Sequence, residues 1–249
     1  MVKNKYSTKN DKIALVTGAN RGLGYEISNQ LSKLGYIVIL TSRNKEKGTK
    51  ALAALNNNLT KLLFHELDVN SEESIKQLLD FIKNKFGRLD VLINNAGVLL
   101  DFRSHMGNDK KFTIFNTPIN ILENTMSTNV NGPFMMCQYF IPLMKKNNYG
   151  RIVNISSKLG QLSKSSYGTP CYRLSKIALN GVTKIFADET KDDNILINSV
   201  CPGWIKTDMG GPNANLETFE AMETIIWLAT LDDNEHSGGF YSDRKQIEW

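Results

Sequence analysis

The stretch Asp11-Lys12-Ile13-Ala14-Leu15-Val16-Thr17-Gly18-Ala19-Asn20-Arg21-Gly22-Leu23-Gly24-Tyr25-Glu26-Ile27-Ser28 decides the fold. A strand-sized apolar run, Lys12 to Thr17, enters a turn with glycines at 18, 22 and 24, and a helical pattern leaves it from Leu23 to Leu34. Strand, glycine turn and helix make the first part of a βαβ unit, and the alternation continues. Further strands are expected at Tyr36 to Thr41, Lys61 to Leu67, Asp90 to Asn94, Arg151 to Ile155 and Leu196 to Val200. Helices are expected between them at Lys45 to Leu55, Glu72 to Phe86, Ile119 to Met144 and Tyr172 to Thr190, with a last one from Leu216 to Leu231. Strands that alternate with helices predict an α/β fold, a doubly wound parallel sheet with helices on both faces. Such sheets bind ligands at the carboxyl ends of their strands, near the switch point. Thr17, Thr41, Asn94, Ser156 and Pro202 all follow or end strand runs, so the chemically suggestive residues gather at that edge.

The 249 residues, 41% of them apolar, suit one hydrophobic core, so residues 12–249 are expected to form a single domain behind a polar, lysine-rich extension at 1–11. Thirty Lys and Arg against 25 Asp and Glu leave a net charge of +5, spread along the chain without a basic tract, which is a poor basis for nucleic-acid binding. Apolar runs such as Ile13 to Val16 and Ile37 to Leu40 are too short to span a membrane. The beginning of the sequence has no apolar core of a secretory signal, so a cytoplasmic location is expected. Cys137, Cys171 and Cys201 are odd in number and lack CxxC spacing, and His65, His105 and His236 share no spacing either. No metal site is expected. Residues 99–117 lack periodicity and carry Gly107, Asn108 and Asp109, while Asp208-Met209-Gly210-Gly211-Pro212 opens a second irregular stretch. Both are candidates to close over a substrate.

The glycine turn lets the backbone approach a pyrophosphate, which the free amides and dipole of a helix N-terminus hold. Its GxxxGxG spacing is not the usual GxGxxG, so a turn that merely needs small residues stays open as an alternative. After the second strand comes Thr41-Ser42-Arg43, with no acid to accept a ribose 2′-hydroxyl and a cation suited to a 2′-phosphate. That favours NADP over NAD. Arg21 is a second candidate cation, although arginines are most often solvated surface groups.

Tyr172 and Lys176 lie one helical turn apart on one face. An adjacent ammonium is expected to lower the phenol pKa from near 10 and fit Tyr172 for proton exchange with a carbonyl or alcohol oxygen. YxxxK alone is a weak signal; Ser156 and Ser157 strengthen it, because a hydroxyl at the end of the preceding strand could hydrogen-bond that oxygen as charge develops. Tyr167 has Cys171, not a lysine, four residues on.

In order along the chain, TGANRGLG at 17–24, Asp68-Val69, Asn94-Asn95-Ala96-Gly97, Asn129-Val130-Asn131-Gly132, Ser157, Tyr172 with Lys176, and Pro202-Gly203 with Thr207 resemble the short-chain dehydrogenase/reductase family. The likeness spans about Lys12 to Tyr241. The GANRG turn, Thr41-Ser42-Arg43 and Gly238-Gly239-Phe240 are similar to its carbonyl-reductase-like branch. The resemblance implies a Rossmann fold and a catalytic set of Ser157, Tyr172, Lys176 and Asn129, with Asn129 holding a water for proton relay to Lys176. It further implies an NADP site of Gly18, Asn20, Arg21, Gly22, Leu23, Gly24, Arg43, Asp68, Val69, Asn95, Ala96, Gly97, Tyr172, Lys176, Pro202, Gly203, Ile205 and Thr207. Asp68 and Val69 would lie by the adenine, Asn95 by the ribose and Thr207 by the carboxamide. The segment between Gly97 and Asn129 is longer than in the simplest members, and the short gap from Ser157 to Tyr172 lacks the insertion that keeps some carbonyl reductases monomeric. A homo-oligomer is therefore expected. The function so read is NADPH-dependent hydride transfer at a carbonyl or alcohol carbon of a small apolar substrate. Trp204, Met209 and Trp249 are candidates for the pocket wall. The rival from another class is a non-catalytic NADPH-binding sensor or scaffold, which would have no need of all four catalytic residues.

Overall fold

Ile13, Ala14, Leu15 and Val16 are all fully buried, which requires that both faces of their sheet be covered. In the computed structural model, which describes residues 11–55, 61–102, 112–164 and 166–249, this is strand β1. It is followed by α1 (Gly22–Lys33), β2 (Ile37–Ser42), α2 (Lys45–Leu55), β3 (Leu62–Glu66), α3 (Glu72–Phe86) and β4 (Val91–Asn94). Next come α4 (Ile119–Met126), α5 (Gly132–Lys146), β5 (Gly150–Ile155), α6 (Pro170–Glu189), β6 (Ile195–Val200), α7 (Met222–Ala229), β7 (Phe240–Ser242) and β8 (Lys245–Gln246).

These strands form one sheet in the order β3-β2-β1-β4-β5-β6-β7-β8. Side chains alternate along each strand, so β1 and β2 feed two cores. Ala14, Val16, Val38 and Leu40 pack with Ile27, Leu31, Ile225 and Leu228 on one face. Ile13, Leu15, Ile37 and Ile39 pack with Ile75, Leu78, Ile82 and Phe140 on the other. Full burial of each such side chain is worth about 1.5–3 kcal/mol. The chain runs outward from β1 to β3 and then returns to β4 on the other side of β1, which opens a crevice at the carboxyl ends of β1 and β4.

The expected architecture holds, with three local differences. The last pair of strands, β7 and β8, is antiparallel, because the two-residue connection Asp243-Arg244, with φ of 54° and 57°, can only join antiparallel neighbours. The last helix begins at Met222, not Leu216, since Leu216 is used in a short parallel bridge to Ile205. The long helix from Ile119 is interrupted at Ser127–Asn131 by a π turn before it continues as α5. Among the described residues no helix is long and apolar enough to cross a membrane. Residues 1–10 of the N-terminal extension and 103–111 of the irregular segment, with His105, lie outside the described residues.

Candidate active site

The crevice is a cleft of about 1480 Å³. At one end lies the glycine turn, tied to the end of β4. The Thr17 hydroxyl oxygen accepts the backbone N–H groups of Asn95 and Ala96, both at 2.9 Å. The Asn95 amide donates to the carbonyls of Thr17 (2.8 Å) and Gly18 (3.0 Å). Two glycines are required here. Gly18 has φ +63° and a Cβ on it would stand 2.9 Å from the Ala96 Cα, and a Cβ on Gly24 would stand 2.5 Å from the Asn95 amide nitrogen. The N-terminus of α1 has no side-chain cap and no acid in its first turn, so its free N–H groups and positive dipole end open on the cleft.

Arg43 follows β2, is exposed, lines the cleft and makes no ion pair among the described residues. Arg21 lines it too, but its guanidinium is paired with Asp208 across the opening. The two expected cations therefore differ: Arg43 is free to meet an anion, whereas Arg21 must share its charge. Ser42 is buried, and its hydroxyl accepts the Asn44 N–H at 3.2 Å.

At the other end, β5 delivers Ser157 in extended backbone, and its hydroxyl caps a short 3-10 turn by accepting the Leu159 N–H at 3.1 Å. The Ser157 hydroxyl and the Tyr172 phenol line the same cleft, and the hydroxyl pulls the phenol pKa down. Lys176, one turn along α6, is buried, donates to the Ile155 carbonyl at 2.8 Å, and stands 5.4 Å from the centre of the Tyr172 ring. Burial lowers its pKa to about 8, against a smaller upward pull from Cys201.

The expected electrostatics of Tyr172 are reversed. Burial comes first and raises its pKa, Cys201 and Asp101 add to the rise, and only Ser157 opposes it. Desolvation penalises the charged form of acid and base alike, so in this pocket a protonated phenol faces an ammonium whose own charge is weakened. The spacing of Tyr172 and Lys176 does not reveal that Lys176 is buried and Tyr172 half-buried.

Every residue expected to touch the cofactor lines the cleft, as do Ser157, Tyr172 and Lys176. Asn129 does not, and it is buried one layer behind Gly97. The π turn aims its side chain at the strand exit, where its oxygen accepts the Val98 N–H (2.8 Å) and its amide donates to the Val98 carbonyl (2.9 Å) and the Ser175 hydroxyl (3.0 Å). Asn95 lines the cleft, but its amide nitrogen is committed to the glycine turn. Asp68 accepts the Asn70 N–H, and Val69 packs on Gly132. Thr207 comes within reach of the glycine turn, since a Cβ on Gly22 would stand 3.3 Å from its methyl group.

Trp204, Met209 and Tyr167 line the cleft together with Leu99, Phe102, Leu159 and Leu216. Trp249 is not among its walls and stacks on Phe240 with ring centres 5.7 Å apart. Cys171 is buried against Asp101, and burial with that carboxylate pushes its thiol up to about 11. Among the described residues no group of His, Cys, Asp and Glu is placed to hold a metal ion. Two functional candidates were not singled out by sequence, Asp101 and Asp208. Their partners lie 70 and 187 residues away, and no local pattern marks such pairings.

Residues 12–217 match the sequence profile of the short chain dehydrogenase family. The chain is 34% identical to (+)-neomenthol dehydrogenase of Arabidopsis thaliana, covering 95% of this chain and 97% of that protein. It is 32% identical to Carbonyl reductase [NADPH] 1 of Bos taurus, covering 95% and 98%. The structure of an NADPH-bound carbonyl reductase from chicken fatty liver superimposes with a TM-score of 0.82 at 28% identity, covering 96% of this chain and 98% of that one.

Proposed function

The chain belongs to the short-chain dehydrogenase family of oxidoreductases, and on that premise we propose that it transfers hydride between NADPH and the carbonyl or alcohol carbon of a small apolar substrate. The observation that carries this reading is the meeting of Ser157, Tyr172 and Lys176 in the same cleft as the uncapped glycine turn and the unpaired Arg43.

The residues fit a dinucleotide. Gly18 and Gly24 leave a cradle that a Cβ would fill, the α1 amides suit a pyrophosphate, and Arg43 suits a 2′-phosphate. NADPH, when bound, supplies the hydride. Ser157 orients the substrate oxygen and Tyr172 gives it a proton. A phenol held protonated by burial is in the form that reduction needs, since the oxygen left after hydride addition is far more basic than a phenolate. Lys176, anchored on the Ile155 carbonyl, keeps a positive charge near Tyr172 as the proton leaves and restores it by relay. Asn129 shapes this end of the cleft through Val98. The apolar wall of Leu99, Phe102, Trp204 and Met209 supports an apolar carbonyl compound as substrate.

Purified protein with NADPH should consume the reduced cofactor, followed by its absorbance, on addition of at least one of a panel of aldehydes, cyclic ketones, quinones and oxoacyl esters. Binding of NADPH without turnover on any of them would count against catalysis.

The same reading takes residues 12–249 as one working unit that forms a homo-oligomer. Exposed Ile119, Phe134, Leu174 and Ile185 on α4, α5 and α6 support an isologous contact across these helices. Light scattering at micromolar concentration should give at least twice the mass of 28.0 kDa, and a strictly monomeric mass would refute it. Three buried, unpaired cysteines support residence in the reducing cytoplasm.

A further inference from the structure

Helix α6, which carries Tyr172, begins without a cap of its own. Thr169 precedes it in a left-handed conformation (φ 47°) with no side-chain hydrogen bond, and its first turn holds no acid. Pro170 has no N–H to satisfy, so Cys171 and Tyr172 carry the first orphan donors. A carboxylate from the exit of β4 meets both: Asp101 Oδ2 accepts the Cys171 N–H at 2.7 Å and the Tyr172 N–H at 3.3 Å.

The other side of the Tyr172 residue is held from the same place. Its carbonyl accepts the Ser175 hydroxyl at 2.7 Å, the Ser175 oxygen accepts the Asn129 amide, and Asn129 is bonded twice to Val98. Residues 98–101 therefore clamp the backbone of Tyr172 at its N–H directly and at its C=O through Asn129. We propose that Asp101 is a positioning residue that fixes Tyr172 against Ser157 by capping α6 from outside the helix, a role that rests on Tyr172 being the proton donor.

Burial of Asp101 supports this. Its side chain is 2% exposed, and Oδ1 has no hydrogen-bond partner among the described residues. A carboxylate half satisfied in the interior is costly, and the return on that cost is the fixed end of the catalytic helix. Its charge also acts on the Tyr172 phenol, to which Ser157, Cys201 and Lys176 are turned, and on the Cys171 thiol.

The test compares Asp101→Ala and Asp101→Asn with wild type, using NADPH and the compound of the above panel that wild type reduces fastest. Asp101→Ala should lower kcat by about 10- to 100-fold, the usual result of a displacement near 1 Å, with the NADPH KM nearly unchanged. Asp101→Asn keeps an acceptor for the two N–H groups and should recover most of the lost kcat. Because it removes a charge that adds, after burial and Cys201, to the upward shift of Tyr172, it should also move the basic limb of the kcat profile to lower pH. Unchanged kcat in Asp101→Ala, or equal loss in both variants with an unmoved pH profile, would overturn the role. If Asp101→Ala does not fold, the pH profile of Asp101→Asn decides alone. Tyr172→Phe run beside them separates the two readings: full turnover in it, or none in wild type, defeats the assignment of Tyr172 and not merely that of Asp101.

Discussion

Replacement of Tyr172 by phenylalanine is expected to lower kcat by roughly 100- to 10,000-fold, the usual contribution of general acid catalysis, while the Kd for NADPH changes little. The ring stays and keeps its packing, and only the phenol oxygen is removed. Steady-state reduction and fluorescence titration of NADPH check the two halves. Near-normal turnover would move the proton donor elsewhere. The variant has a second signature in stability. Burial raises the Tyr172 pKa, so its stabilising proton is retained below the ordinary phenol value near 10 and becomes costly to hold as pH rises beyond it. Thermal melts should therefore fall less steeply above pH 10 in Tyr172→Phe than in wild type.

Arg43→Ala is expected to raise the KM for NADPH by about 10- to 150-fold, the equivalent of one charge-assisted bond of about 1.5–3 kcal/mol, and to leave that for NADH and the chemical step nearly unchanged. The structure sharpens this expectation. Arg43 has no competing carboxylate among the described residues, whereas Arg21 is engaged by Asp208. Arg21→Ala should accordingly discriminate less between the two cofactors, since an exposed ion pair is worth only about 0–1 kcal/mol. Kinetics with both cofactors on each variant decide it. Equal loss with both would make Arg43 structural, and a wild-type preference for NADH would defeat the assignment.

What the sequence discloses is chemistry carried by neighbours along the chain. The strand, turn and helix from Lys12 to Leu34 are legible because the apolar period and the glycines lie within one short window. Arg43 is legible because it follows a strand, and Tyr172 with Lys176 because a helical turn separates them. What depends on meetings across the fold is not legible. Asn129 is marked by the family resemblance, but its surroundings read as a long unbroken helix, and only packing converts that turn to a π turn that aims it at Val98. Asp101 reads as the edge of an irregular segment, though it caps a helix that starts 69 residues later. The sign of the Tyr172 shift is hidden for the same reason, since spacing reveals the nearby ammonium but not the loss of water. Likewise, the sequence suits Trp249 to a pocket wall, whereas it stacks on Phe240 of β7.

The most direct test is the fate of the hydride itself. NADPH carrying deuterium at both C4 positions of the nicotinamide would be incubated with the protein and an apolar ketone, and the product examined by mass spectrometry. The account expects an alcohol with one deuterium on the carbon that was the carbonyl, formed by wild type and nearly lost in Tyr172→Phe. Tight NADPH binding with no labelled alcohol from aldehydes or cyclic ketones would contradict it, and would leave a protein that holds the cofactor without using it.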